Sequence, residues 1–242
     1  MKKLITLTVV LMLRVRYRIT VNGLKELKSR TQDDCPLLFL SNHQALIDPV
    51  IVMSLLYKTF APRPLVDENQ SDHPPAKYLM DMVNALFISD LNVSNLDDKK
   101  QIFAEREEVV ASLKRGENVL MYPAGRISRG NLEVIGANSG AASVVHGVPE
   151  ARIVLLRIRG LWGSQFSRAR GIPPSLFRDV GKLLFRVIVN GLLFMPRRPV
   201  HIDIVEPDDF PVGGDKKAIN RYLEGFYNTD ADRNTKIRRY WW

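Results

Sequence analysis

The stretch Leu37-Leu38-Phe39-Leu40-Ser41-Asn42-His43-Gln44-Ala45-Leu46-Ile47-Asp48-Pro49 decides how the rest of the chain is read. Four apolar residues after Pro36 end abruptly in Ser-Asn-His, as a buried strand of a parallel sheet ends in a loop. His43 then lies just past the carboxyl end of a strand, where open α/β sheets place their sites. Asp48, before Pro49, is biased away from the α region and is expected to cap a helix with Pro49 at its first position. Val50, Ile51, Met53, Leu55 and Leu56 continue that helix. On one helix, residues five apart point about 140° away from each other, so His43 and Asp48 meet only across a turn. A strand–turn–helix supplies that turn. Asp48 can then accept a bond from one imidazole nitrogen and leave the other basic, which is the histidine–aspartate part of a triad. The bland alternative is a loop histidine beside an ordinary Asp-Pro helix start.

Outward from this unit, strands alternate with helices. Leu65-Val66 and Leu86-Phe87-Ile88 read as short strands, with a helix from Pro74 to about Asn84 between them. Asp97 to Arg115 carries Ile102, Phe103, Val109, Val110 and Leu113 at helical spacing and stops at Gly116. Asn118 to Tyr122 and Ile153 to Ile158 read as buried strands, and Asn138 to His146 as a closely packed helix. Gly160 to Arg168 is expected as a loop with an exposed aromatic, Trp162. Val200 to Val205 alternates, placing His201 and Asp203 on one strand face in structural roles, and Asn220 to Tyr227 closes as a helix. The pattern predicts an α/β fold: a mostly parallel central sheet with helices on both faces, in a single domain.

At 242 residues and 45% hydrophobic content, the chain fits one domain with a substantial core. The net charge of +9 points to a polyanionic partner, such as a membrane surface, a phosphorylated substrate or nucleic acid. A single cysteine, Cys35, excludes an intrachain disulfide and a cysteine-cluster metal site. Lys2 and Lys3 precede an apolar run to Leu13 that is shorter than the roughly 20 residues a bilayer requires. Residues 1–14 are read as an interfacial anchor or a buried helix, 15–228 as the folded domain and 229–242 as a basic aromatic tail. Arg14 to Ile19 alternates like a strand. Leu183 to Met195, flanked by Arg178, Lys182, Arg197 and Arg198, suits either a core edge or an anionic membrane surface. The nucleic-acid reading rests on charge alone, with no recognisable motif, and no nucleic-acid partner is expected.

The strand Asn118–Tyr122 runs into Pro123-Ala124-Gly125-Arg126-Ile127-Ser128-Arg129, where a glycine lets the backbone approach a ligand and Arg126, Ser128 and Arg129 offer phosphate donors. With Asn42-His43 and Asp48, this block resembles the glycerolipid acyltransferase family, which includes lysophosphatidate and glycerol-3-phosphate acyltransferases. The family signature is Asn-His, four residues, then Asp, followed later by Phe-Pro-Glu-Gly with Arg and Ser. The order after the glycine is closest to the lysophospholipid acyltransferases among them. The resemblance covers roughly residues 15 to 228.

It implies acyl transfer from a thioester, acyl-CoA or acyl carrier protein, to a lysophospholipid or glycerol phosphate hydroxyl. His43 would be the base and Asp48 its orienting partner. Asn42, Gly125, Arg126, Ser128 and Arg129 would contact substrate. The oxyanion donor is not assigned, and backbone amides near His43 are the natural candidates on chemical grounds. It implies no cofactor and no metal. It also implies peripheral or monotopic membrane association, at the cytoplasmic face of an inner membrane. Two departures stand out: Ala124 replaces the block's glutamate, and Leu86-Phe87-Ile88-Ser89-Asp90 lacks the arginine of the related block. Ala124 also raises the alternative of a catalytically silent lipid-binding protein on the same fold.

Overall fold

The structure is a computed structural model and describes residues 10–30, 35–68, 74–88, 106–136, 140–189 and 197–231. Seven strands form one sheet in the order β1-β7-β6-β2-β5-β3-β4: β1 Tyr17–Asn22, β2 Leu37–Ser41, β3 Arg63–Asp67, β4 Leu86–Ile88, β5 Val119–Met121, β6 Arg152–Arg159 and β7 Arg198–Val205. All neighbours pair in parallel except β6 and β7. The helices are α1 over 10–16, α2 Leu24–Ser29, α3 Asp48–Phe60, α4 Pro74–Met82, α5 over 106–114, α6 Ala141–Gly147, α7 Leu176–Val189 and α8 Lys216–Asn228. The α/β architecture read from the sequence is the one observed.

The centre of the sheet explains the arrangement. Every residue of β2 is buried, as expected of a parallel strand covered on both faces. Successive side chains alternate between faces. Leu38 and Leu40 join a cluster with Val109 and Leu113 of α5, Val144 of α6 and Ile219, Leu223 and Tyr227 of α8. Leu37 and Phe39 enter the opposite cluster with Leu13 of α1, Leu27 of α2 and Ile51, Leu56 and Phe60 of α3. Val180 and Leu183 of α7 pack on that second cluster. The carboxyl ends of β2, β5 and β6, neighbours in the sheet, therefore open at one edge, beneath the loops that follow them.

Several expectations are corrected. The alternation from Arg14 is helix until residue 16, and the strand begins at Tyr17. Leu13, Arg16 and Tyr17 are buried at the spacing of a helix turn entering the core. Trp162 is buried, because the loop after β6 folds down over the site instead of standing away from it. Gly160 makes that fold possible: its φ is +98°, and a Cβ there would meet the Pro199 carbonyl oxygen at 2.3 Å. The helix expected from Leu183 starts at Leu176. Residues 1–9, 89–105, 190–196 and 232–242 lie outside the described residues, including the start of the N-terminal anchor, Ser89-Asp90, the first part of the Asp97 helix and the C-terminal tail.

Candidate active site

The turn after β2 brings His43 onto Asp48: the imidazole Nδ1 lies 3.1 Å from Asp48 Oδ2. Asp48 does not cap its helix through its side chain, as the Asp-Pro pair suggested; it is the first residue of α3, after Ile47. Its carboxylate turns back instead and accepts the Ala45 N–H at 2.9 Å. That position beside a helix amino end favours negative charge. Asp48 is wholly buried, and this pushes its carboxyl above the usual range, while the bonds from His43, Ala45 and Gln44 pull it back. Ionised, Asp48 can only accept, so Nδ1 carries the proton and Nε2 keeps its lone pair.

Around the ring, Tyr122 from the end of β5 stacks on His43 with ring centroids 4.5 Å apart and planes tilted by 35°. Its hydroxyl is buried without a hydrogen-bond partner among the described residues, and burial together with the Asp48 charge raises it well above the ordinary phenol range. The backbone of the turn is stitched to the loop after β6. Leu46 N–H donates to the Phe166 carbonyl at 2.9 Å, and Gln44 Oε1 receives the amides of Leu161 and Trp162 at 3.3 Å each.

The sequence-derived site residues divide into two sets. Asn42 is turned into the sheet: its side-chain nitrogen donates to the Ile158 carbonyl at 2.9 Å and its oxygen receives the Ile158 N–H at 2.7 Å. It continues the β2–β6 ladder by a side chain and fixes where His43 leaves the strand. Ser128 is also buried, its N–H donating to the His43 carbonyl at 2.7 Å and its hydroxyl lying 2.9 Å from the same oxygen. Arg126 and Arg129 are exposed, on either side of Ser128, and Gly125 turns the loop outward at φ +63°. The amides expected as oxyanion donors are occupied: those of Gln44 and Ala45 on Asp48, that of His43 on Glu133 and that of Leu46 on Phe166.

Glu133 was not singled out by the sequence. Its carboxylate reaches the His43 N–H at 3.3 Å and receives a hydrogen bond from Ser128 Oγ. Between Leu132 and Val134 it reads as the polar member of an ordinary alternation. The only signal available was the missing carboxylate at Ala124. Among the described residues, no group of three or more His, Cys, Asp or Glu is placed to hold a metal ion.

These elements place a histidine–aspartate pair at the carboxyl edge of a parallel sheet, with an exposed basic loop beside it. The fold is similar to that of the crystal structure of the 1-acyl-sn-glycerophosphate (LPA) acyltransferase PlsC from Thermotoga maritima, with a TM-score of 0.55 at 15% identity over 87% of this chain and 69% of that one. No curated protein sequence matches. The Acyltransferase family model matches residues 18–155, a span that contains His43, Asp48 and the whole Tyr122–Glu133 loop. On that match, more than half of its length, the chain belongs to the Acyltransferase family.

Proposed function

We propose that the protein transfers a fatty acyl group from a thioester to the free hydroxyl of a lysophospholipid such as 1-acylglycerol-3-phosphate. The observation that carries this reading is the His43–Asp48 pair, with Nε2 left without a hydrogen-bond partner among the described residues. Nε2 takes the proton of the acceptor hydroxyl as its oxygen attacks the thioester carbonyl. The tetrahedral adduct collapses with cleavage of the C–S bond, and the imidazolium returns its proton to the departing thiolate. Ester and thiol result, with no acyl-enzyme. Asp48 holds the tautomer and stabilises the imidazolium, and a positioned general base contributes typically 10²–10⁴-fold. Arg126 and Arg129, exposed beside the turn, are the groups suited to the acceptor phosphate.

The acceptor is a lipid, and two helices support delivery from a bilayer surface. On α7, Phe185 and Ile188 are 67% and 71% exposed, Val189 is also exposed, and Arg178 and Lys182 are exposed on the preceding turns. On α1, Leu11, Met12 and Val15 are exposed around Arg14. Both helices seat their other faces on the same core cluster, so they flank one side of the sheet. Apolar residues beside cations suit an anionic headgroup layer. No helix among the described residues is long and apolar enough to cross a membrane. The test is sedimentation with anionic vesicles: Phe185→Ser/Ile188→Ser should reduce binding, and wild-type binding by the double variant would remove α7 from the membrane contact. The activity itself is tested by thiol release from a long-chain acyl-CoA with separate lysophospholipid acceptors, and with acyl carrier protein as the other donor.

A further inference from the structure

The peptide Leu132-Glu133-Val134 inverts the usual partition of side chains. Leu132 and Val134 are 48% and 57% exposed, while Glu133 is 4% exposed. A buried carboxylate is costly unless it is hydrogen-bonded. Glu133 has its partners at the centre of the site: the His43 N–H at 3.3 Å and the Ser128 hydroxyl. Ser128 in turn donates its N–H to the His43 carbonyl at 2.7 Å. Both polar groups of the His43 backbone are thus held by one loop. That loop is fixed from α8, where Asn228 Oδ1 receives the Glu133 N–H at 2.7 Å, Asn228 Nδ2 donates to the Glu133 carbonyl at 2.9 Å, and Glu224 Oε1 receives the Ile135 N–H at 2.6 Å.

We propose that Glu133 is a second positioning carboxylate for His43. It clamps the histidine backbone while Asp48 orients the ring, and it brings from position 133 a carboxylate that the Tyr122–Ser128 block lacks at Ala124. The inference rests on His43 acting as the base. The charged and titratable groups around Glu133 are His43 and Asp48 from the β2–α3 turn and Tyr227 and Glu224 from α8. Burial and the Asp48 charge push the Glu133 carboxyl up, while Ser128 and His43 draw it back. The anion also favours the imidazolium that forms during transfer.

Three variants and two readouts test it. Glu133→Ala should lower kcat about 10- to 100-fold with the thioester KM nearly unchanged, because a displaced base loses rate and not donor binding. Glu133→Gln keeps the shape and can still accept the His43 N–H, so it should recover part of that loss, and Glu133→Asp should fall between. In Glu133→Gln without substrate, the His43 backbone amide, followed by NMR, should exchange its hydrogen faster than in the wild type, because a neutral acceptor holds it less tightly. Should Glu133→Ala not fold, the glutamine variant carries both readouts. Wild-type kcat in the alanine variant with only a lower Tm, or unchanged His43 amide exchange in the glutamine variant, would overturn the proposal. If the wild type acylates no acceptor, the functional reading fails, while the amide exchange still decides whether Glu133 holds the His43 backbone.

Discussion

Two clusters of carboxylates sit at opposite edges of the same sheet and are built in opposite ways. At the amino edge, Glu117 receives bonds from Ser112 Oγ at 2.6 Å, Arg63 at 2.8 Å and Arg115 at 3.0 Å, and is held down to about 2. At the carboxyl edge, Asp48 and Glu133 are buried beside a histidine, with no arginine or lysine bonded to either among the described residues, and both are pushed up. The first cluster satisfies its charge and ties β3 to the start of β5. Among the described residues the second has no Lys or Arg partner, and under the proposed function a positive charge forming on His43 would be the partner its carboxylates lack. Residue type does not separate the two clusters; the supply of counter-charge does.

That contrast predicts a double dissociation. The largest effect should come from Asp48→Asn, which keeps the shape of the turn but removes the tautomer control: kcat should fall by about 100-fold or more. Its stability should show the opposite sign. The folded-state pKa of Asp48 is raised, so the native protein holds that proton longer than the unfolded chain, and ionising it costs stability as pH rises from the unfolded value through the folded one. Asp48→Asn should therefore be at least as stable as the wild type at neutral pH; a steep loss of Tm would show that the buried charge stabilises the fold and would break the comparison.

A smaller effect is expected from Arg126→Ala, which should raise the acceptor KM about tenfold, the size of one lost charge-assisted contact, and the thioester KM less. The reverse order would assign the loop to the donor.

The smallest effect belongs to the other edge. The folded pKa of Glu117 is depressed from 4.5 to about 2, so its contribution is present above about pH 4.5 and disappears as pH falls toward 2. The side chain is 40% exposed, and screening limits the contribution to about 0.5–1 kcal/mol. Glu117→Gln should lower stability by that amount at pH 7, match the wild type near pH 2, and leave kcat unchanged. A change in kcat would mean the two edges are coupled.

What the sequence disclosed follows the same division. Strands β2 and β5 and the Ile153–Leu156 part of β6 were legible because continuous burial on both faces leaves an uninterrupted apolar run, and the His43–Asp48 turn was legible because its spacing excludes a helix. Ser128 was read as a phosphate donor from its polarity and Asn42 as a substrate contact from the family resemblance, and neither reveals the direction of a side chain. Trp162 was placed outside because the fold-back at Gly160 depends on a φ that only the tertiary structure specifies. Glu133 was invisible for a related reason: alternation assigns the polar residue outward, and the site reverses it. The start of α7 was missed because its first turns carry charge on an exposed face.

The central claim is that His43 is the base of an acyl transfer. It is tested most directly by following thiol release from a long-chain acyl-CoA with liposomes and lysophosphatidate, lysophosphatidylethanolamine or glycerol-3-phosphate in turn, and with acyl carrier protein as the second donor, comparing the wild type with a folded His43→Ala protein. Catalysis by His43 predicts release with at least one acceptor and a loss of about two decades or more in the variant. Equal rates in the two proteins, or no release by the wild type with any acceptor and either donor, would contradict it.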